Sequence, residues 1–139
     1  MIGMPNSKLL TIAVPAYNAA SYLHTCLDSL VRSGDEVEVL VVNDGSKDGT
    51  LQVARDYVER YPGIVVAVDQ ENRNWGGAVN HALELASGTF FYIVDSDDWL
   101  DSAKLTEVVS RLRMLEEQQA VVDLYMVNYV YNRVENGDR

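Results

Sequence analysis

Apolar and polar positions along the chain follow two different periods in turn. Short, mainly apolar runs, each bounded by turn residues or proline, predict buried strands at 9–14, 37–42, 64–68 and 90–94. Pro15 is expected to end the first of them. Between the runs, apolar residues recur at the spacing of one helix face and predict helices at 19–31, 51–61 and about 76–86. A long helix around 105–115 and a last strand at 121–131 complete the predicted order.

Strands separated by single helices predict an α/β, Rossmann-like fold, with a mostly parallel sheet and helices on both faces. Ligands of such sheets bind at the carboxyl ends of the strands. The residues that leave the four predicted strands at that edge are rich in polar and acidic side chains: 15–18, 43–46, 69–72 and 95–98. The sequence therefore predicts one binding site at this edge of the sheet.

Composition narrows the ligand class. The 139 residues suit one compact domain of ordinary composition. The formal net charge of −10, with no cluster of Lys or Arg, excludes a nucleic-acid-binding role, because an acidic surface repels phosphates. A phosphorylated small molecule would need a cation to mediate its binding.

Cellular location is predicted from what the chain lacks. No apolar run is long enough to span a bilayer, and the first residues do not resemble a signal peptide. The single cysteine, Cys26, rules out an internal disulfide and is interpreted as an apolar filler on a helix, which fits a reducing compartment. We expect a cytoplasmic protein, with peripheral association at the cytoplasmic face of the membrane as an alternative.

The acidic run 95–98 is the most informative feature. In an extended strand, residues two apart lie roughly 6–7 Å from each other. Asp95 and Asp97 could not readily share one Mg²⁺ in that conformation, because Mg²⁺ takes oxygen ligands at about 2.0–2.1 Å. Either the strand turns near Ser96, or the two acids have different roles; we favour different roles, with one carboxylate on a metal and another on a ribose hydroxyl or a loop amide. Helix capping is the alternative for Asp98 and Asp101.

Asp44 comes directly off a buried strand, where its carboxylate could accept a hydrogen bond from a nucleobase N–H. Turn formation at Asp44-Gly45 is the alternative, and Asp48 or Thr50 could cap the next helix.

The third helix begins near Gly76-Gly77, where close backbone approach and a helix N-terminus favour anions. No Walker or dinucleotide fingerprint is present. Asn80 either binds the ligand or ties down the loop. His81 is interpreted as a surface or structural residue, since no Ser or Cys partner for a triad can be placed.

Four segments together resemble the inverting family-2 glycosyltransferases with a GT-A fold: 14–18, 42–50, Asn80 and 94–100. The resemblance runs from about residue 9 to residue 132. It implies transfer of a sugar from a nucleotide-diphosphate donor, UDP before dTDP or GDP, with Mg²⁺ or Mn²⁺ on the diphosphate.

The resemblance also implies site residues. Pro15, Tyr17 and Asp44 would hold the base, and Asp95 would meet the ribose or sugar. Asp97 would be the metal ligand of the Asp-x-Asp motif. Three further residues complete the expected nucleotide-sugar site: Asn18, Asn80 and Ser96.

Two departures from the family pattern limit what this chain is expected to do. Val79 stands where many relatives carry an arginine that faces the ligand, and Arg73 is a candidate substitute. The family's general base lies downstream of the Asp-x-Asp strand, so it is expected beyond Arg139 and the catalytic residue is unknown. Residues 1–139 are therefore expected to be the nucleotide-sugar-binding part of the domain, truncated before the half that binds a glycan, lipid or polysaccharide acceptor, and inactive alone.

Two other functions stay open. A non-catalytic module could bind nucleotide-sugar without turnover. A receiver-type signalling domain ranks lower: Asp69 could be its phosphorylated residue, but no lysine follows Lys104 to complete that site.

Overall fold

The computed structural model describes residues 7–130, in which strands and helices alternate strictly. In chain order, the elements are β1 (Lys8–Ala16), α1 (Leu23–Leu30), β2 (Val37–Asp44), α2 (Thr50–Arg60), β3 (Val65–Gln70), α3 (Asn74–Leu85), β4 (Gly88–Ile93) and α4 (Ser102–Glu117). The predicted α/β fold is confirmed, and each of these elements overlaps a predicted one.

The strands of this region form one parallel sheet in the order β3-β2-β1-β4. From the central strand β1, the chain moves outward to β2 and β3. It then crosses back through α3 to place β4 on the other side of β1. The strand order therefore reverses between β1 and β4, and ligands of open α/β sheets bind at such a reversal, beyond the carboxyl ends of the strands.

Apolar side chains cover both faces of the sheet. The larger core cluster joins β1 and β2 to α1, α2 and α4 through residues such as Ile12, Val39 and Leu27. The smaller one packs Ala13 and Leu40 against Ala82 of α3. The alanine at this contact lets α3 lie close to the sheet, so the start of α3 is held over the edge where β1 and β2 end.

Pro15 does not end the first strand, which continues to Ala16. The carbonyl of Ala13 faces β4, where it accepts a 2.9 Å hydrogen bond from Val94 N. Backbone groups alternate sides along a strand, so Pro15 faces the same way, at a level where β4 has already ended. Its missing N–H therefore removes no ladder hydrogen bond, and the expected stop was wrong for this reason.

The predicted last strand is wrong for residues 121–130, and residue 131 lies outside the described residues. This segment is irregular, and its apolar side chains are largely exposed, with Val121 at 92% and Val130 at 90%. Its composition favours a strand, but a strand also needs a hydrogen-bonded neighbour, and none of the described strands pairs with it. Within residues 7–130, no helix is both long and apolar enough to cross a bilayer.

Candidate functional site

The acidic run folds into a turn immediately after β4, and we call residues 95–98 the acidic turn. The backbone N–H of Asp98 donates to the carbonyl of Asp95 at 2.9 Å, which closes the turn. One carboxylate oxygen from each of Asp95, Asp97 and Asp98 lies within 4.8 Å of the others. The sequence left two alternatives, a turn near Ser96 or different roles for the two acids, and the structure shows the turn. The strand turns near Ser96, and the acids are close enough to share a cation.

Negative charge is concentrated at the acidic turn. Burial, together with the carboxylates of Asp97 and Asp95, raises the pKa of Asp98. Beneath the turn, the Cys26 thiol lies 3.7 Å from the carbonyl oxygen of Asp95. Burial and the carboxylates of Asp98, Asp97 and Asp95 raise the pKa of Cys26 to about 12. Cys26 is thus a neutral, buried filler, while the exposed oxygens above it fit a hard divalent cation, which prefers carboxylate ligands.

Asp95 has a protein partner that sequence reasoning missed. The indole Nε1–H of Trp75, in the first turn of α3, donates to Asp95 Oδ1 at 2.7 Å. Trp75 itself is 54% exposed. The contact joins the start of α3 to the acidic turn across the carboxyl edge of the sheet. The available signal was a tryptophan beside Gly76-Gly77 at the predicted helix start, with an N–H able to reach an acid.

Asp44 is buried at the end of β2, with 4% of its surface exposed. Its Oδ1 accepts hydrogen bonds from Gln70 Nε2 at 2.9 Å and from the backbone N–H of Arg73 at 2.7 Å. Its backbone carbonyl accepts from Asn72 Nδ2 at 3.0 Å. Asp44 therefore holds the loop between β3 and α3 in place, which is a structural role. A contact between Asp44 and a nucleobase stays a prediction.

Gly45 permits the close approach of that loop. Its φ is +70°, in the left-handed region, and a Cβ at this position would lie 2.8 Å from Asn72 N. Any other residue would combine backbone strain with a backbone clash. The Asp44-Gly45 pair thus forms the turn and also allows Asn72 to pack closely against it.

Asn18 joins the exits of β1 and β2. It adopts a left-handed φ of 49°. Its backbone N–H donates to Ser46 Oγ at 2.9 Å, and its Oδ1 accepts from Lys47 N at 2.9 Å. Its side-chain oxygen is therefore used between loops, and a contact with ligand stays a prediction.

Asp48 and Thr50 extend the same junction. Asp48 Oδ1 accepts from Thr50 N at 3.0 Å at the start of α2, where Gly49 is the N-cap residue. Hydrogen bonds from the Thr50 side chain and backbone lower the pKa of Asp48. Thr50 Oγ1 accepts from Ala19 N at 2.8 Å. These residues fasten two strand exits into one unit.

The other predicted ligand residues differ in position and in exposure. Pro15 is buried in β1, and Tyr17, just beyond it, is 48% exposed. Ser96 is buried within the acidic turn, whereas Asn80 is exposed on α3. A ligand contact for each of them stays a prediction.

The candidate substitute arginine and the candidate caps can be placed. The aliphatic part of Arg73 lies against Gly77, where a Cβ would clash with it. Asp101 is the N-cap of α4, and its Oδ1 accepts from Lys104 N at 3.0 Å. Asp98 belongs to the acidic turn instead.

Comparison with known proteins agrees with this geometry. The family model for glycosyl transferase family 2 matches residues 11–139. The glycosyltransferase MG025 of Mycoplasma genitalium is 38% identical over 101 residues, which cover 69% of this chain and 34% of that protein.

Solved structures share the fold. S. aureus TarS 1–349 in complex with UDP-GlcNAc matches with a TM-score of 0.66 and 30% identity, over 80% of this chain and 32% of that one. The mannosyltransferase PcManGT from Pyrobaculum calidifontis, in complex with GDP-Man and Mn²⁺, matches with a TM-score of 0.62 and 30% identity, over 72% of this chain and 31% of that one. The fold is thus the expected GT-A fold, and the chain spans about a third of the length of these relatives.

Proposed function

Because the chain belongs to glycosyl transferase family 2, we propose that residues 1–139 are the part of a glycosyltransferase that binds a nucleotide-diphosphate sugar through a divalent metal. The observation that carries the proposal is the convergence of the Asp95, Asp97 and Asp98 carboxylates at the point where the strand order reverses. The family assignment leaves no place for the receiver-type alternative.

The two acids of the Asp-x-Asp motif differ in their surroundings, which supports different roles. Asp95 is oriented by the indole of Trp75. A carboxylate held in this way is suited to a directional hydrogen bond with a ribose or sugar hydroxyl. Asp97 is exposed and is proposed as the metal ligand. Mg²⁺ or Mn²⁺ bound there would neutralise the diphosphate, since such ions take one or two carboxylates and complete their shell with phosphate oxygens and water.

The nucleotide would lie across the exits of β1 and β2. Asp44, Pro15 and Tyr17 are proposed to hold the base, with the remaining contacts from Asn18, Asn80 and Ser96. The neighbours bind UDP-GlcNAc and GDP-Man. We propose UDP as the nucleotide of this chain, since TarS is solved with UDP-GlcNAc, and Asp44 could accept the ring N–H of the uracil.

The complete reaction would be inverting transfer of the sugar to a glycan, lipid or polysaccharide acceptor. Such transfer needs a carboxylate that deprotonates the acceptor hydroxyl on the side opposite the leaving diphosphate. We assign that role to none of the described acids. We propose that the base comes from the part of these enzymes that this chain does not span.

Calorimetric titration of the chain with UDP, with and without Mn²⁺, tests the proposal. We expect binding that depends on Mn²⁺, and we expect Asp97→Ala to remove that dependence. Asp123→Ala is the matched control, because Asp123 is an exposed aspartate outside the edge of the sheet. Affinity that is equal without metal, or unchanged in Asp97→Ala, would contradict the metal assignment. Turnover of a UDP-sugar onto an acceptor by this chain alone would contradict the placement of the base.

A further inference from the structure

Three side chains form a chain of hydrogen bonds on the α3 face of the sheet, and we call Asp44, Gln70 and His81 the amide relay. Gln70, the last residue of β3, donates from Nε2 to Asp44 Oδ1 at 2.9 Å. Its other amide atom, Oε1, lies 2.7 Å from Nδ1 of His81 in α3. His81 and Gln70 are both half-buried.

The direction of the amide relay follows from its chemistry. An ionised carboxylate only accepts hydrogen bonds, so Gln70 must face Asp44 with its NH₂ group. Its oxygen then faces His81, and the imidazole must carry a proton on Nδ1 to donate to it. Neutral and charged imidazole both satisfy this requirement. Without His81, Gln70 Oε1 loses this donor, and the amide is held only by its hydrogen bond to Asp44.

The amide relay completes the support of Asp44. The backbone N–H of Arg73 is the other donor to Asp44 Oδ1, at 2.7 Å. Both donors depend on the placement of α3, because Arg73 is its N-cap residue and His81 lies within it. The same helix carries Trp75, which orients Asp95. One helix thus positions the carboxylates at two strand exits.

We infer that His81 and Gln70 are positioning residues that hold the Asp44 carboxylate in the orientation needed for the nucleobase. This inference rests on the proposed function of Asp44. It assigns His81 a purpose that its position within a helix does not suggest, and it needs no contact between His81 and the ligand.

A double-mutant cycle on UDP affinity tests the inference. With Mn²⁺ present, we expect His81→Ala to weaken UDP binding about three- to tenfold, the size of one ordinary hydrogen bond. In an Asp44→Asn background, the same substitution should change the affinity by less than about twofold, because the oriented carboxylate is already gone. His24→Ala is the matched control, since the other histidine of the chain is exposed on α1 and is contacted through its backbone carbonyl.

Two further variants separate positioning from folding. His81→Asn keeps a side-chain N–H near the place of Nδ1 and should restore most of the affinity. Gln70→Met keeps the volume but removes both amide atoms, and should weaken UDP binding as His81→Ala does. Urea denaturation of each variant reports stability separately. If His81→Ala fails to fold, Gln70→Met in the two Asp44 backgrounds decides the question.

Nitrogen NMR of the wild-type imidazoles makes the possible failures distinguishable. In buffer alkaline enough to keep imidazole neutral, His81 should show the Nδ1–H tautomer. The opposite tautomer would overturn the relay itself. Loss of affinity from His81→Ala that is equal in both Asp44 backgrounds, or no loss, would overturn the positioning role while UDP binding stands. A wild-type chain with the expected tautomer that binds no UDP would overturn the proposed function, and the positioning role with it.

Discussion

At the exit of β2, the Asp44 carboxylate is buried and accepts hydrogen bonds from Gln70 and Arg73. At the exit of β4, the carboxylates of the acidic turn are exposed and lie within 4.8 Å of one another. One acid is surrounded by donors of the protein, and the others are surrounded by like charge. Both lie at the same edge of the same sheet.

These two surroundings are suited to the two ends of a nucleotide-diphosphate. A carboxylate fixed by the protein has a defined direction and is suited to select a base. Crowded carboxylates repel each other until a cation neutralises them, so they are suited to hold a metal and, through it, a diphosphate. Asp95 is intermediate between a buried, protein-bound carboxylate and an exposed one, because it is exposed but accepts one hydrogen bond from Trp75.

The largest effect is expected from Asp44→Ala. UDP affinity should fall by about 1.5–3 kcal/mol, the contribution of a charge-assisted hydrogen bond. The free energy of unfolding should also fall, because Arg73 N and Gln70 Nε2 lose their acceptor. Calorimetry and urea denaturation measure the two effects. Asp56→Ala, an exposed aspartate on α2, is the control. A loss of stability with unchanged UDP affinity would reduce Asp44 to its role in the loop.

Much of the fold could be predicted because the central strands are buried on both faces. The mainly apolar runs at 9–14 and 37–42 reflect that burial, and the strand exits follow from them. The sequence did not show which segments pair with each other. Residues 121–130 have the composition of a strand, but no described strand lies beside them.

The sequence predicted where the candidate site lies, but not how its side chains are arranged. Spacing alone could not show that the backbone turns after β4, which brings Asp95 and Asp97 together. Contacts such as Trp75 with Asp95 depend on how α3 packs across the sheet, through alanines that look like ordinary helix residues in the sequence. The residues that hold the acids in place were therefore missed, while the acids themselves were found.

A smaller effect is expected from Trp75→Phe, which tests whether a protein donor matters at the exposed exit. Phenylalanine keeps an aromatic ring but has no N–H, so Asp95 loses the hydrogen bond that orients its carboxylate. We expect Mn²⁺-dependent UDP affinity to fall by about 0.5–1.5 kcal/mol, with little change in stability because the side chain is largely exposed. Trp99→Phe is the matched control, since Trp99 is similarly exposed, at 48%. Equal losses in the two variants would show that the indole hydrogen bond is not the cause.

The smallest expected effect is a gain in stability, from Asp98→Asn. Burial and the neighbouring carboxylates raise the pKa of Asp98, so the folded chain binds its proton more tightly than the unfolded chain does. Ionisation of Asp98 therefore costs stability as the pH rises through its folded pKa. Without divalent metal at neutral pH, Asp98→Asn should raise the free energy of unfolding by less than about 1 kcal/mol, since the group is largely exposed to solvent.

At the lowest pH where the chain stays folded, this gain should shrink, because Asp98 is then protonated and there is less charge to remove. Urea denaturation at the two pH values, with Asp123→Asn as control, measures the difference. A gain that is the same at both pH values would show that charge repulsion is not its cause. Asp44→Ala is expected to lower the free energy of unfolding and Asp98→Asn to raise it. The sign of the change therefore distinguishes a carboxylate that accepts hydrogen bonds from the protein from one that is repelled by its neighbours when no cation is bound.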